Sequence, residues 1–304
     1  MALHPDARRL LADLGEPTDP ADVDLTEQRR AAREAALAVR SDSIGIDHVE
    51  DLDAGGVPVR LYRPRPGAPV ALYVHGGGWV LHDLETHDAF CRYLASTTGC
   101  ALLAVDYRRA PEHPYPAPLD DVVAAARWLR REASRFGVEA SFLPGIGDSA
   151  GGNLVAGAVV RDRDLLDLQV LLYPATDPRA ELNADDDNPA LDAVSMRWMW
   201  RAYADGAFDE PDVAVLRAPS PDRLPPALVV TAEHDALRDQ GEAYAARLAD
   251  AGVRVTGWRA LGMVHSFWRQ PQAFDAARDL VVMVGSVLDA HRCTSPPPTG
   301  GGDG

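Results

Sequence analysis

The chain has 304 residues, 46% of them hydrophobic, enough to bury a sizeable core in one large α/β domain. Lys plus Arg number 30 against 46 Asp plus Glu, a formal net charge of −16, and that field argues against nucleic acid or an anionic membrane as partner. The only cysteines are Cys91, Cys100 and Cys293, with no C-x-x-C among them, so neither a disulfide framework nor a zinc site is indicated. Free thiols fit a reducing compartment. The first ten residues lack the apolar core of a signal peptide, and no run nears the roughly 18 apolar residues of a membrane helix. A cytoplasmic location with no membrane partner is expected.

In chain order, residues 1–45 are rich in Ala, Arg, Leu, Asp and Glu, and 31–39 have helical composition. Residues 48–52 and 57–62 read as strands around a hairpin turn at Ala54-Gly55-Gly56. Residues 70–74 form a short, continuous apolar strand, as expected inside a sheet covered on both faces. It runs into His75-Gly76-Gly77-Gly78-Trp79. A helix over 86–98 and a buried strand over 101–105 follow. Residues 106–118 carry four prolines and read as a loop, and 119–136 as an amphipathic helix.

A strand, a sharp turn and a helix come next around residues 143–160. Residues 168–174 are another strand. The rhythm then breaks over 175–220: residues 185–189 are polar, 195–200 aromatic, and 219–226 loop-like, an insertion above the sheet. A strand over 227–231, a helix over 238–251, a strand over 253–258, a loop carrying His265 and a helix over 273–291 complete the pattern. Alternating strands and helices imply right-handed crossovers and a mostly parallel central sheet with helices on both faces, an α/β fold. The expected organisation is a helical segment over 1–45, a main domain over 46–292 with an insertion at about 175–220, and a disordered tail over 293–304.

The chemistry is concentrated in Gly147-Asp148-Ser149-Ala150-Gly151. A strand that reverses directly into a helix presses the positions two before and two after its apex together, and glycine leaves the room. The serine at the apex is held in strained backbone with its hydroxyl exposed, above a helix start that offers free N–H groups to an oxyanion. The plain alternative is an ordinary glycine-rich turn, so the motif needs partners. A serine hydroxyl needs a base and an orienting carboxylate, which follow it in the order Asp or Glu, then His. After Ser149 come only His234, His265 and His291. His234 is adjacent to the candidate acids and His291 closes the last helix, which leaves His265 as the base. Among Glu233, Asp235 and Asp239, the last belongs to a helix start and Glu233 to the strand, so Asp235 is the candidate acid. The glycines after His75 let backbone N–H groups turn toward a substrate, and the Ala150 N–H adds a further donor.

These stretches, with Asp106-Tyr-Arg-Arg-Ala-Pro-Glu-His-Pro-Tyr-Pro-Ala117, Leu172-Tyr-Pro174, Asp235-Ala-Leu-Arg-Asp239 and Gly262-Met-Val-His-Ser-Phe267, run in one order from about residue 50 to 290. Together they resemble the hormone-sensitive lipase-like carboxylesterases of the α/β-hydrolase fold, the subgroup with a Gly-Asp-Ser-Ala-Gly serine motif. The resemblance implies Ser149 as nucleophile, Asp235 as acid and His265 as base. It implies an oxyanion hole of Gly77, Gly78 and Ala150 N–H groups, supported by His75, Gly76 and Asp148. It implies a cap built from the N-terminal helices and the insertion, no metal or organic cofactor, a small ester of short to medium acyl length as substrate, and a homodimer as a family option. Trp79, Trp198, Met199 and Tyr203 are the expected pocket residues, with Met196 and Trp200 on the same aromatic stretch; part of that stretch should instead form the cap's own core. Three positions depart from the family pattern: Arg109 replaces an apolar residue, Val213-Ala-Val-Leu216 a familiar Ala-Ser-Pro-Leu, and Ala236 a common proline. An amidase would use the same machinery, and comparing ester with amide turnover separates the two. A non-catalytic binder, as among the gibberellin receptors that resemble this family, would lack the histidine that stands here as His265.

Overall fold

The computed structural model describes residues 2–14, 20, 23–38, 44–182 and 190–294. Its centre is a nine-stranded sheet. The strands are β1 (His48–Asp53), β2 (Pro58–Arg63), β3 (Ala68–Val74), β4 (Ala101–Val105), β5 (Val138–Glu139), β6 (Pro144–Asp148), β7 (Leu168–Leu172), β8 (Ala227–His234) and β9 (Val255–Val264). Their spatial order is β1-β2-β4-β3-β6-β7-β8-β9, with β5 paired to the start of β3. β2 is antiparallel to both β1 and β4, and the remaining pairs are parallel. The helices are α1 (Pro5–Leu14), α2 (Leu25–Ala38), α3 (Leu84–Thr98), α4 (Ala117–Glu132), α5 (Ala150–Arg161), α6 (Ala193–Ala204), α7 (Arg238–Asp250) and α8 (Asp275–Thr294).

The apolar runs behave as a sheet covered on both faces demands. Every residue of β4, β6 and β7 is buried. Alternate side chains serve two different cores. Leu72, Leu103 and Leu171 join the core shared with α4, α5 and α7. Tyr73, Leu102 and Leu172 join the opposite core with α3 and α8. Truncating any of these leucines to alanine would cost about 2–5 kcal/mol, because transfer and cavity terms add.

Sheet order reverses between β3 and β6: β4 follows β3 on one side, and the later strands build outward on the other. Ligands bind open α/β sheets at such a switch point, beyond the carboxyl ends of the strands. The glycine loop after β3 and the serine after β6 therefore meet there, with Val74 in register with Gly147.

Two elements extend further than their local patterns indicate. β8 runs to His234 and β9 to Val264, so Asp235 and His265 each follow a strand immediately. The helix placed over 119–136 is α4, which starts at Ala117 with Pro118 in its first turn, where a missing N–H costs nothing, followed by a 3-10 turn over Ala133–Phe136. The tail boundary at 293 also shifts: α8 continues through Cys293 to Thr294, and residues 295–304 lie outside the described residues. So does the polar stretch 185–189 of the insertion.

α2 is tied to the segment after the glycine loop by two arginines, Arg33, which donates to Asp83 (3.3 Å), and Arg29. Arg29 donates from Nε to the Val80 carbonyl (2.8 Å), from Nη2 to the Ala110 carbonyl (2.8 Å), and bidentately to Glu112. That pairing holds the Glu112 carboxyl down at about 2. α6 is preceded by Asp192, whose carboxylate accepts from the Val194 and Ser195 amides (2.8 Å each) and caps the helix.

Candidate active site

Ser149 has φ 55° and ψ −118°, a strained conformation for any residue with a Cβ. Its surroundings impose it. A Cβ on Gly147 would stand 2.3 Å from the Gly151 carbonyl oxygen, and one on Gly151 would stand 2.0 Å from that of Val74. Backbone meets backbone there, so no side chain can yield. The strain is held by the Ser149 N–H, which donates to the Leu172 carbonyl (2.8 Å), and by the Ser149 carbonyl, which accepts from Asn153 N–H (3.1 Å). Asn153 is fully buried and its amide donates to the Val213 carbonyl (2.9 Å), anchoring the later part of the 175–220 stretch to the same helix.

The three residues singled out from sequence meet at this apex. Ser149 Oγ lies 3.0 Å from His265 Nε2, and His265 Nδ1 lies 2.8 Å from Asp235 Oδ2. The other Asp235 oxygen accepts from the Leu237 amide (2.9 Å), which fixes the carboxylate. All three are buried, Asp235 most deeply. The Tyr173 ring, 4.7 Å from the imidazole, walls its side. The other acids have separate work. Glu233 accepts from the Gly262 amide (2.7 Å), joining the ends of β8 and β9, and that hydrogen bond lowers its pKa. Asp239 pairs with its neighbour Arg238 at the start of α7.

The glycine loop is fastened to the strand below it through Asp148. This buried carboxylate accepts from Tyr73 Oη (2.9 Å) and the Gly76 amide (3.1 Å), and burial raises its pKa against these partners. A Cβ on Gly76 would lie 2.5 Å from an Asp148 oxygen, so only glycine approaches this closely. His75 stacks on Tyr107 with centroids 4.3 Å apart and bonds through Nδ1 to the Gly76 carbonyl (2.8 Å). Burial pushes its pKa down to about 4, so it is neutral at physiological pH. Tyr107 Oη donates to the His75 carbonyl (3.0 Å), so the proline-rich loop holds the glycine loop from behind. Gly77 and Gly78 have φ of 115° and 60°. Among the described residues no acceptor takes up the N–H groups of Gly77, Gly78 or Ala150, the first residue of α5.

Ser149, His265, Gly77 and Gly78 line one cavity of about 380 Å³. Met199 and Met196 of α6 form part of its wall, with Leu10 of α1 and Gln28 of α2. Three of the expected pocket residues are elsewhere. Trp79 and Tyr203 are fully buried and stack on each other 4.5 Å apart at 5°, with Trp200 against Trp79 at 4.2 Å. Trp198 packs, half-buried, against the same core. Large flat rings gain more from stacking in the cap's interior than from facing a water-filled cavity. The wall holds polar residues that sequence reasoning did not single out: Gln28, His82, Ser266, Arg269 and Gln270. His82 precedes Ser149, so a search by triad order passes over it. Arg269 lies four residues beyond His265, a position that could have drawn attention to it.

A parallel sheet with a serine on a strand-to-helix elbow, and an aspartate and a histidine following it in chain order, is the arrangement of an α/β hydrolase. The sequence pattern of the alpha/beta hydrolase fold family matches residues 71–269. The chain is 35% identical over 285 residues to an ethyl acetate hydrolase of Pseudomonas putida, covering 87% of this chain and 90% of that protein. It is 36% identical over 266 residues to an arylesterase of Saccharolobus solfataricus, covering 83% and 86%. A solved Pyrobaculum calidifontis esterase superposes with a TM-score of 0.87 at 34% identity, over 95% of this chain and 99% of that one. The chain belongs to the hormone-sensitive lipase-like carboxylesterase family of α/β hydrolases.

Proposed function

We propose that this protein is a serine carboxylic ester hydrolase of short to medium acyl esters, with Ser149, His265 and Asp235 as its catalytic residues. The observation that carries the reading is the unbroken hydrogen-bonded line from Ser149 Oγ through the imidazole to the buried Asp235 carboxylate, at 3.0 and 2.8 Å. His265 takes the serine proton as Oγ attacks the ester carbonyl carbon. Asp235 holds the imidazole tautomer and stabilises its cation. The Gly77, Gly78 and Ala150 N–H groups receive the negative oxygen of the tetrahedral intermediate. His265 then protonates the departing alcohol, leaving an acyl group on Ser149. Water attacks that acyl-enzyme by the same proton route and releases the acid. His75, Gly76 and Asp148 keep the glycine loop in place.

The bounds proposed for the cap, residues 1–45 and about 175–220, are supported by Leu10, Gln28, Met196 and Met199 standing over the serine. A cytoplasmic location is supported by the free cysteines Cys91, Cys100 and Cys293. The reading extends to a homodimer through β9 or α8, supported by the exposed side chains of Leu261 and Val282 on those elements; sedimentation at two concentrations tests it. Ser149→Ala should abolish hydrolysis of a p-nitrophenyl short-chain ester while the circular dichroism spectrum and melting temperature stay put. Turnover retained in that variant ends the assignment.

A further inference from the structure

Arg269 sits in the short 3-10 turn Phe267–Arg269 just beyond His265 and lines the same cavity as the serine. Its guanidinium is poorly satisfied. Nη1 donates to His87 Nε2 at 3.2 Å, a neutral acceptor because burial holds the His87 pKa well below its ordinary value. Nε is buried and has no hydrogen-bond partner. Its nearest carboxylate, Asp148, stands 3.8 Å away, beyond hydrogen-bond reach, with its own bonds directed to Tyr73 and Gly76. Nη2 has no hydrogen bond among the described residues and is not among the buried polar atoms, and the side chain is 21% exposed. Arg269 is part of the cavity wall, so this unspent donor is within the part of the structure that a bound ligand would occupy.

No Asp or Glu is among the described residues that line this cavity. Beside the catalytic pair, the rest of the wall mixes apolar side chains, Leu81, Leu191, Met196 and Met199 among them, with the uncharged Gln28, Ser266 and Gln270, and burial and Arg269 itself push the His82 pKa well down. A guanidinium stays charged at any working pH, and its planar edge matches a carboxylate bidentately. Arg269 is paired in charge with Asp148, yet it is a permanent cation in a wall otherwise of uncharged groups and has donors unspent, which suits it to fix the orientation of an anionic ligand.

We infer that Arg269 selects esters that carry a carboxylate, so that the substrate is a half-ester of a dicarboxylic acid or an acylated hydroxy acid. The inference rests on the esterase reading and narrows its substrate class. The carboxylate lies on the acyl side in the first case and on the alcohol side in the second. It sits against the Nη edge while the ester carbonyl faces Ser149. The net charge of −16 opposes the approach of any anion, so a preference for one has to come from local contact.

The test uses two pairs matched atom for atom, at about 0.15 M salt, where long-range repulsion is screened beyond roughly 8 Å. Monoethyl succinate is paired with ethyl isocaproate for the acyl side, and β-acetoxypropionate with isoamyl acetate for the alcohol side. Wild type should give an anionic-to-neutral ratio of kcat/KM above one in at least one pair. That pair names the side on which the carboxylate sits. In Arg269→Gln the ratio should fall by about tenfold or more, the loss of a charge-assisted contact. Arg269→Lys keeps the charge and should retain much of the ratio; it also serves if the glutamine variant folds poorly. A wild-type ratio of one or less in both pairs overturns the inference. So does a ratio unmoved by Arg269→Gln, even if both rates drop together. Hydrolysis of the neutral esters is read in the same assays, and its absence alongside inactive anionic esters would strike the esterase reading itself.

Discussion

The serine elbow and the cap wall stand a few ångströms apart and are specified in different ways. At the elbow the constraints are backbone against backbone. Gly147 and Gly151 have no alternative, because a Cβ at either would lie within 2.3 Å of a carbonyl oxygen. Across the cavity, α1, α2, α6 and the turn after His265 each lend a side chain or two. Many side chains could occupy those places without disturbing the sheet. The difference teaches where variation is permitted: reaction chemistry is fixed by crowding at the sheet edge, and substrate choice is left to a wall that tolerates change.

The comparison breaks most sharply if the elbow side proves tolerant. Asp235→Asn keeps the shape and a hydrogen-bonding group opposite His265 Nδ1, but favours the wrong imidazole tautomer. A drop in kcat of roughly 10⁴-fold is expected with the fold unchanged, measured on a p-nitrophenyl ester. A loss below tenfold would mean the buried carboxylate is not the orienting group. On the cap side, Trp79→Ala removes a ring stacked on Tyr203 and Trp200. Stability should fall by about 3–5 kcal/mol, read from the urea midpoint. A stable variant with altered acyl preference would instead return Trp79 to the pocket.

The same division governs what was legible in the sequence. Asp235 and His265 could be placed from chain order together with their positions just beyond strands, since each had to follow its own parallel strand. The glycine loop after its strand and the mostly parallel sheet were legible too, and the family match over residues 71–269 agrees with that fold; the spatial order of the strands was not read from the sequence. Nor was the direction of the cap side chains. Trp79 follows three glycines and resembles a loop residue at a binding site, yet φ of 60° turns its ring into the core. Tyr203 and Met199 are four apart on α6 and so share a face, yet one is buried while the other lines the cavity. Helical period puts both on one face, and only packing shows where along that face the core ends and the cavity begins. Arg269 stands close to His265 in sequence, but its surroundings were not legible, because its neighbours His87 and Asp148 come from segments 182 and 121 residues earlier (269 minus 87 and 269 minus 148).

Supporting the glycine loop with a neutral, buried His75 has a consequence in acid. Its native pKa is about 4 against an ordinary value of 6.5. Between those values the unfolded chain binds a proton that the native state refuses. Stability is therefore complete above about pH 6.5 and drains away as pH falls toward 4, by about 3 kcal/mol for this residue. Burial moves His82 and His87 in the same direction. Urea midpoints at pH 7.5 and pH 5 should show the loss, and His75→Gln should shrink the difference. An unchanged difference in that variant would mean the imidazole titrates alike in both states.

The smallest effect is also the one that locates the boundary between the two regions. Met199 lies over Gly78, close enough that a Cβ there would stand 2.1 Å from its sulfur, and it lines the cavity as well. It thus belongs to the cap by chain and to the oxyanion loop by contact. Met199→Ala leaves every N–H donor in place and removes volume beside them. If the wall governs only substrate choice, the variant should favour longer acyl chains, raising the hexanoate-to-acetate ratio of kcat/KM by about tenfold, the worth of a methylene or two in an apolar pocket. The kcat for acetate should hold. If Met199 instead keeps Gly78 in register for the oxyanion, kcat falls for every chain length by a similar factor and the ratio stays flat, because an interaction made in the transition state does not depend on what extends beyond it.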